Sequence, residues 1–315
     1  MKKILKKINN IDINNVNLYL FSKHKYSNDF EVFSTIFNNN QIKEDMKNIL
    51  KEQIINHIDD ENHEIYEYNP IFKDNQIVQR INCDEIEYLN KFINEINLNC
   101  GIYNENKLKK DHELWLIAIV IDDGIDKIIS FQKIRSKILL KNKTYLLTFG
   151  NKIKKFKEPL LQLKETMDCI CFLEKNKEWK DQNMYIFNSY YFEMIFGFEK
   201  KFKREIISML ENLKNNNEYD MNLLNTNQLY EKVKTNKNHL KKLYVILKNN
   251  NFNYLNEENI HKIEEKSRIK FNRPNGKIEL KTNEDVRKLL NFLNDDYLEG
   301  ILSEKTFITS NKRDV

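Results

Sequence analysis

The chain has no long apolar run. Its longest, residues 114–121, is eight residues, far below the roughly 20 that carry a helix across a bilayer. No membrane-spanning helix is expected. The amino-terminal stretch MKKILKKINNIDI is basic, but Lys and Asn interrupt its apolar residues, and a secretory leader needs a continuous hydrophobic segment. Cysteine is also scarce. Cys83, Cys100, Cys169 and Cys171 lack the paired short spacings of a zinc site, and they read as reduced core thiols of a cytosolic protein. The histidines, His24, His57, His63, His112, His239 and His261, are scattered without an HxxxH or HxH spacing. A metal site would have to be assembled from distant segments, and neither a metal nor a cofactor is expected.

One further absence is informative. Between Lys127 and Lys157 there is no Asp or Glu, while the stretch carries Lys127, Lys133, Arg135, Lys137, Lys141, Lys143, Lys152, Lys154, Lys155 and Lys157. Lysine is abundant throughout the chain, so its presence here says little. The missing acids say more, because acidic residues are common on both sides of the window and would otherwise neutralise it. A local positive field points to a polyanionic partner, and the plain alternative is a solvated basic face. The formal net charge is only +5, so any such attraction is patchy rather than global.

At 315 residues the chain can form two packed domains or one large one. The first part alternates strand and helix signals. Residues 16–21 and 31–37 read as strands, and residues 42–58 have helical spacing through Ile42, Met46, Ile49, Leu50, Ile54 and Ile58. A second helix is expected from an N-cap at Asn82, with Glu85 three positions on and Ile86, Leu89, Ile93 and Ile96 on its buried face. Residues 114–121 are apolar on both faces, as in a central strand, and Asp122, Asp123 and Gly124 end them in a turn. Further strands are expected at 128–135, 144–149, 167–173 and 184–187. If the strand reaches Lys137, its two-residue period puts Lys133, Arg135 and Lys137 on one face and Ile134 and Ile138 on the other.

From Phe198 the pattern is largely helical, with Phe198, Phe202, Ile206, Met209, Leu210 and Leu213 forming one stripe. A helix or helix pair follows through Leu229, Val233, Leu240, Leu243, Tyr244 and Leu247. A hairpin is expected from residues 268–271 and 277–280 around Pro274 and Gly276. A helix capped by Thr282 and Asp285 then buries Val286, Leu289, Leu290 and Leu293. The fold class is α+β: a sheet-centred domain with flanking helices over residues 1–197, then a mostly helical domain with a β-hairpin over 198–315.

The carboxy-terminal LLNFLNDDYLEGILSEKTFITSNKRDV, with IKFNRPNGKIEL and FNSYYFEMIFGFEKKFKREI before it, resembles the KwaB family, the soluble component of the Kiwa anti-phage defence system. The order of segments fits as well, from an apolar strand ending in Asp122 and Asp123, through a basic strand pair and the FGFE segment, to LNDD and SNK. The likeness covers most of the chain from about Leu114 onward. It implies a cytoplasmic protein that acts with a membrane-embedded partner, KwaA, and is recruited by it to the inner face of the membrane. It also implies a homodimer that binds phage DNA and obstructs its replication and expression.

The residues supply an electrostatic means for duplex DNA binding, since Lys and Arg neutralise phosphates and release counterions. Lys133, Arg135 and Lys137 are the expected phosphate contacts, with Lys141, Lys143, Lys154 and Lys155 extending the positive path. No zinc finger, basic zipper or RNA-recognition motif is present to read bases, and the helix pair through residues 229–247 is a bare helix-turn-helix candidate. Asp122 and Asp123 could hold Mg²⁺ in a nuclease, but an Asp-Asp-Gly turn is the ordinary reading and no third acidic ligand follows in the same sheet. No catalytic residue is assigned. Asp295 and Asp296 read as cap or turn residues, with a pairing of the LNDD and SNK segments expected; alternatively Lys312 and Arg313 touch phosphate. A metal-dependent nuclease in the same defence setting and a basic scaffold for acidic protein or lipid are the competing functions.

Overall fold

The computed structural model describes residues 1–27, 29–35, 40–58, 65–72, 77–98, 100–103, 109, 111–134, 167–215, 223–266, 269–299 and 306–308. The expected strand at 144–149 lies outside them. The chain divides into two compact units, residues 1–68 with 74–196, and residues 69–73 with 197–315.

The first unit is built on β6 (His112–Asp122), whose apolar run leaves no face for water and therefore occupies the interior of a sheet. In chain order the other strands are β1 (Val16–His24), β2 (Phe30–Ser34), β3 (Ile65–Glu67), β4 (Val78–Asn82), β5 (Gly101–Ile102), β7 (Asp126–Lys133), β8 (Cys169–Glu174) and β9 (Asn183–Ile186). The sheet order is β3-β4-β9-β8-β7-β6-β1-β2-β5. Pairing is antiparallel except for β2 with β5 and β3 with β4 at the two edges.

Helices cover both faces. On one, α1 (Lys2–Asn10) and α2 (Asn40–Ile58) bury Ile4, Ile8, Met46, Leu50 and Ile54 in a single core with Leu18, Leu20, Ile117, Ile119 and Ile170. On the other, Phe92 of α3 (Leu89–Asn97) makes ring contacts with Phe21, Phe30, Trp115, Phe131 and Phe196, the last just beyond α4 (Ser189–Ile195). Each edge-on or tilted aromatic pair adds about 0.5–1.5 kcal/mol beyond the area it buries. Cys83, Cys169 and Cys171 are buried free thiols, each pushed upward in pKa by burial, and Cys100 is partly exposed.

The helix expected from Asn82 begins later, at Leu89. Asn82 is still paired with Asn183 in the sheet, and the Cys83 N–H extends that pairing by donating to the Gln182 carbonyl at 2.8 Å. The backbone therefore stays extended through Asn82, and a 3-10 turn, Cys83–Glu85, intervenes. Ile86, Leu89, Ile93 and Ile96 are nevertheless buried as their spacing requires.

The second unit contains α5 (Phe198–Asn215), α6 (Thr226–Val233), α7 (Lys237–Lys248), α8 (Glu257–Lys266) and α9 (Asn283–Leu293). Asn225 and Asn236 cap α6 and α7, and Thr282 with Asp285 forms a capping box on α9. Among the described residues the expected hairpin arms around Pro274 do not form a strand pair, because each is held by a different neighbour. Arg273 pairs with Glu257 and Glu264 of α8, while Ile278 bridges Leu224. Asn272 and Glu279 are joined twice, the Glu279 N–H donating to the Asn272 carbonyl at 2.8 Å and the Asn272 amide to the Glu279 carboxylate at 2.6 Å. The antiparallel pair of this unit is β10 (Tyr297–Glu299) with β11 (Thr306–Ile308). The α+β class thus holds, with its carboxy-terminal strand pair displaced.

Candidate nucleic-acid interface

The basic window departs from the end of β7, where a bulge shapes the surface. In the pairing of β1 with β6, Phe21 faces Leu116 and Ser22 faces Leu114, so Trp115 has no partner. Two residues against one turn the next side chain to the same face. Trp115 accordingly joins Leu116 on the aromatic side, 5.7 Å from the Phe92 ring, while Leu114 packs against the opposite core.

Lys133 is the last residue of β7 and stands half-buried beside that bulge. Its ammonium donates to the carbonyls of Trp115 at 3.2 Å and Ile134 at 3.3 Å and lies 5.8 Å from the Trp115 ring centroid. Its own backbone N–H donates to a carboxylate oxygen of the buried Asp168 at 2.6 Å. Burial lowers the Lys133 pKa, opposed by nearby Glu113 and reinforced by Lys23. Ile134, one residue on, is buried in the opposite core, so these two neighbours lie on opposite faces. Arg135, Lys137, Lys141, Lys143, Lys154 and Lys155 lie outside the described residues.

Two further lysines reach the same aromatic surface. Lys23 of β1 lies 5.4 Å from the Trp115 centroid, and Lys91 of α3 lies 4.7 Å from that of Phe30. Sequence reasoning passed over both, since each is an isolated lysine in its own segment. Cation–π seating was legible only once the rings had been brought together in space.

The paired acids at the far end of β6 are structural. Asp122 accepts from the Gly124 N–H at 2.9 Å, and Asp123 from the N–H groups of Ile125 and Asp126 at 3.0 and 2.9 Å. Gly124 has φ +81°, a conformation in which a side chain is strained. Lys7 of α1 ion-pairs with both Asp123 and Asp126, and Lys127 with Asp122 at 2.8 Å. The Lys7 bond is the main reason the Asp123 carboxyl is held down to about 2.

In the second unit, Asp295 occupies the left-handed turn after α9, with φ +52°, and Asp296 is fully buried. Asp296 accepts from Lys242 and, at 2.6 Å, from the Asn294 amide; Lys242 also donates to Asn291. The turn role expected of Asp295 is therefore present, and Asp296 has a partner on α7. Ser310, Asn311, Lys312 and Arg313 lie outside the described residues, and so does the expected pairing of SNK.

No helix among the described residues is long and apolar enough to cross a membrane. No curated protein and no solved structure matches the chain. The model of the family described as Kiwa protein KwaB-like matches residues 111–303, more than half of the 315 and inclusive of β6, the basic window and the LNDD segment. The chain belongs to the Kiwa protein KwaB-like family and, with it, to Kiwa anti-phage defence.

Proposed function

We propose that this protein binds duplex DNA of the invading phage through phosphate contacts and blocks its replication and expression, as a homodimer recruited to the inner face of the membrane by KwaA. The observation that carries the DNA-binding step is the acid-free window that leaves β7 at Lys133. Ten basic residues between positions 127 and 157, with no acid among them, leave a field that ion pairs within the window cannot cancel. Family membership supplies the defence setting. Arg135, Lys137, Lys141, Lys143, Lys154 and Lys155 provide further positive charge, and the Lys133 ammonium is held at the Trp115 carbonyl. The commitment of Asp122 and Asp123 to a turn and to lysines favours binding over metal-dependent cleavage.

Fluorescence anisotropy with unrelated duplexes, single-stranded DNA and RNA, with and without Mg²⁺, tests this reading. Sequence-indifferent duplex binding with a steep salt dependence and intact DNA is the expected result. Absence of duplex binding, or Mg²⁺-dependent loss of the substrate, overturns it.

A further inference from the structure

We infer that Lys23, Lys91 and Lys133, brought together from β1, α3 and β7, form a preorganised contact for the phosphodiester backbone of duplex DNA. This inference rests on the DNA-binding reading above and adds to it two residues outside the basic window. Lys23 and Lys133 both lie within 6 Å of the Trp115 centroid, at 5.4 and 5.8 Å, so their ammonium groups are at most about 11 Å apart. Lys91 sits on Phe30, whose ring centroid is 6.5 Å from that of Trp115.

The seating of the lysines on rings keeps them from being spent on the acids opposite them. Glu113 faces Lys23 across the strands, but the Lys23 ammonium is seated on Trp115 rather than ion-paired within 4 Å. Asp168 is buried and takes the Lys133 backbone N–H. Glu87 and Glu95 lie four residues before and after Lys91 in the chain, so the cations of this surface stand among acids on both β6 and the α3 segment.

The arrangement suits an extended polyanion. A DNA strand carries one charge per about 3.4 Å of axis, so ammonium groups carried by three separate elements can meet more than one phosphate. Resting on ring faces, the cations have surrendered part of their side-chain freedom before the ligand arrives, which lowers the entropy lost on binding. Lys133 also belongs to the acid-free window, so the three lysines join two further cations to it.

The test compares the parent, Lys23→Ala with Lys91→Ala, Lys23→Arg with Lys91→Arg, Glu113→Gln, and Arg135→Glu with Lys137→Glu, all as full-length chains. Anisotropy is measured on one duplex over a salt series, with thermal melts as the folding control. The double alanine variant is expected to bind roughly tenfold more weakly and to lose about 1.8 from the logarithmic salt slope, about 0.9 per contact. The double arginine variant should bind as the parent does, and Glu113→Gln should bind more tightly. If the alanine pair perturbs folding, the arginine and Glu113→Gln variants decide: weakening by the first or no tightening by the second overturns the inference. Unchanged binding by a folded alanine pair, while the Arg135→Glu, Lys137→Glu variant weakens, overturns the inference and leaves the function standing. A parent that binds no duplex removes both. Loss of binding confined to phosphatidylglycerol vesicles, with duplex binding intact, also overturns it.

Discussion

The fully buried Asp296 carboxylate is ion-paired with the ammonium of Lys242, which lies 54 residues earlier on α7. Asn291 and Asn294 complete the surroundings, the first receiving a bond from Lys242 and the second donating one to Asp296. The pair joins the end of α9 to α7 within the second unit.

Removing one member should be costly because it strands the other charge away from water. Lys242→Met is expected to destabilise the protein by about 3–5 kcal/mol, with Lys242→Met plus Asp296→Asn recovering much of the loss. Urea unfolding read by circular dichroism measures both. A cost below about 1 kcal/mol for Lys242→Met would show that the pair is not a structural tie.

The Lys7 and Asp123 pair gives a pH dependence with a defined sign. Asp123 titrates at about 2 in the folded protein, against about 3.9 for an unperturbed Asp, while the Lys7 pKa is raised and Lys7 stays charged throughout this range. A depressed folded pKa stabilises above the unfolded value and loses that contribution as pH falls through the folded one. The stability difference between parent and Lys7→Met should therefore be full at neutral pH and shrink between about pH 4 and pH 2. Urea midpoints at pH 7, 4 and 2.5 report it; a constant difference would sink the assignment.

Lys133 should differ from the rest of the window in what its replacement does to folding. Lys133→Glu sets a carboxylate against the carbonyl oxygens of Trp115 and Ile134 and should cost about 1–3 kcal/mol. Lys133→Met keeps the aliphatic stem on the Trp115 ring and should cost less. Melting temperatures rank the two. Equal and negligible effects would mean that the ammonium is not held at these carbonyls.

Recruitment by KwaA makes a further measurable statement. Expressed alone, the chain should stay in the supernatant after a high-salt wash and sedimentation, and it should pellet with membranes when KwaA is co-expressed. Pelleting of folded protein without KwaA would exclude partner-dependent recruitment.

The parts of the fold legible in the sequence are those written in local pattern. β6 announces itself by its uninterrupted apolar run, the buried stripe of α5 by helical spacing, and α9 by Thr282 and Asp285 at its start. Features needing a distant partner were not legible. Asn82 has the chemistry of a helix cap, yet its pairing with Asn183 keeps it in the sheet. The residues around Pro274 have hairpin chemistry, yet α8 and Leu224 claim the two arms. α1 is obscured in the sequence by its broken hydrophobicity, since only Ile4 and Ile8, four apart and both buried, carry its helical spacing into the core. Of the candidate site, the charge of the window could be read directly, whereas the aromatic seats of Lys23 and Lys91 depend on three elements meeting.

The unpaired Trp115 divides β6 into two phases. Beyond it, Leu116, Ala118 and Val120 share one parity; before it, Leu114 sits on the side of the odd-numbered Ile117 and Ile119. Deleting Trp115 would restore unbroken alternation and leave Leu114 opposite Ser22 and Glu113 opposite Lys23, so the sides of His112 to Leu114 would be kept and only the Trp115 ring would be lost from the aromatic face. What the extra residue adds to the strand is therefore a second aromatic-side position beside Leu116, the seat on which Lys23 and Lys133 rest.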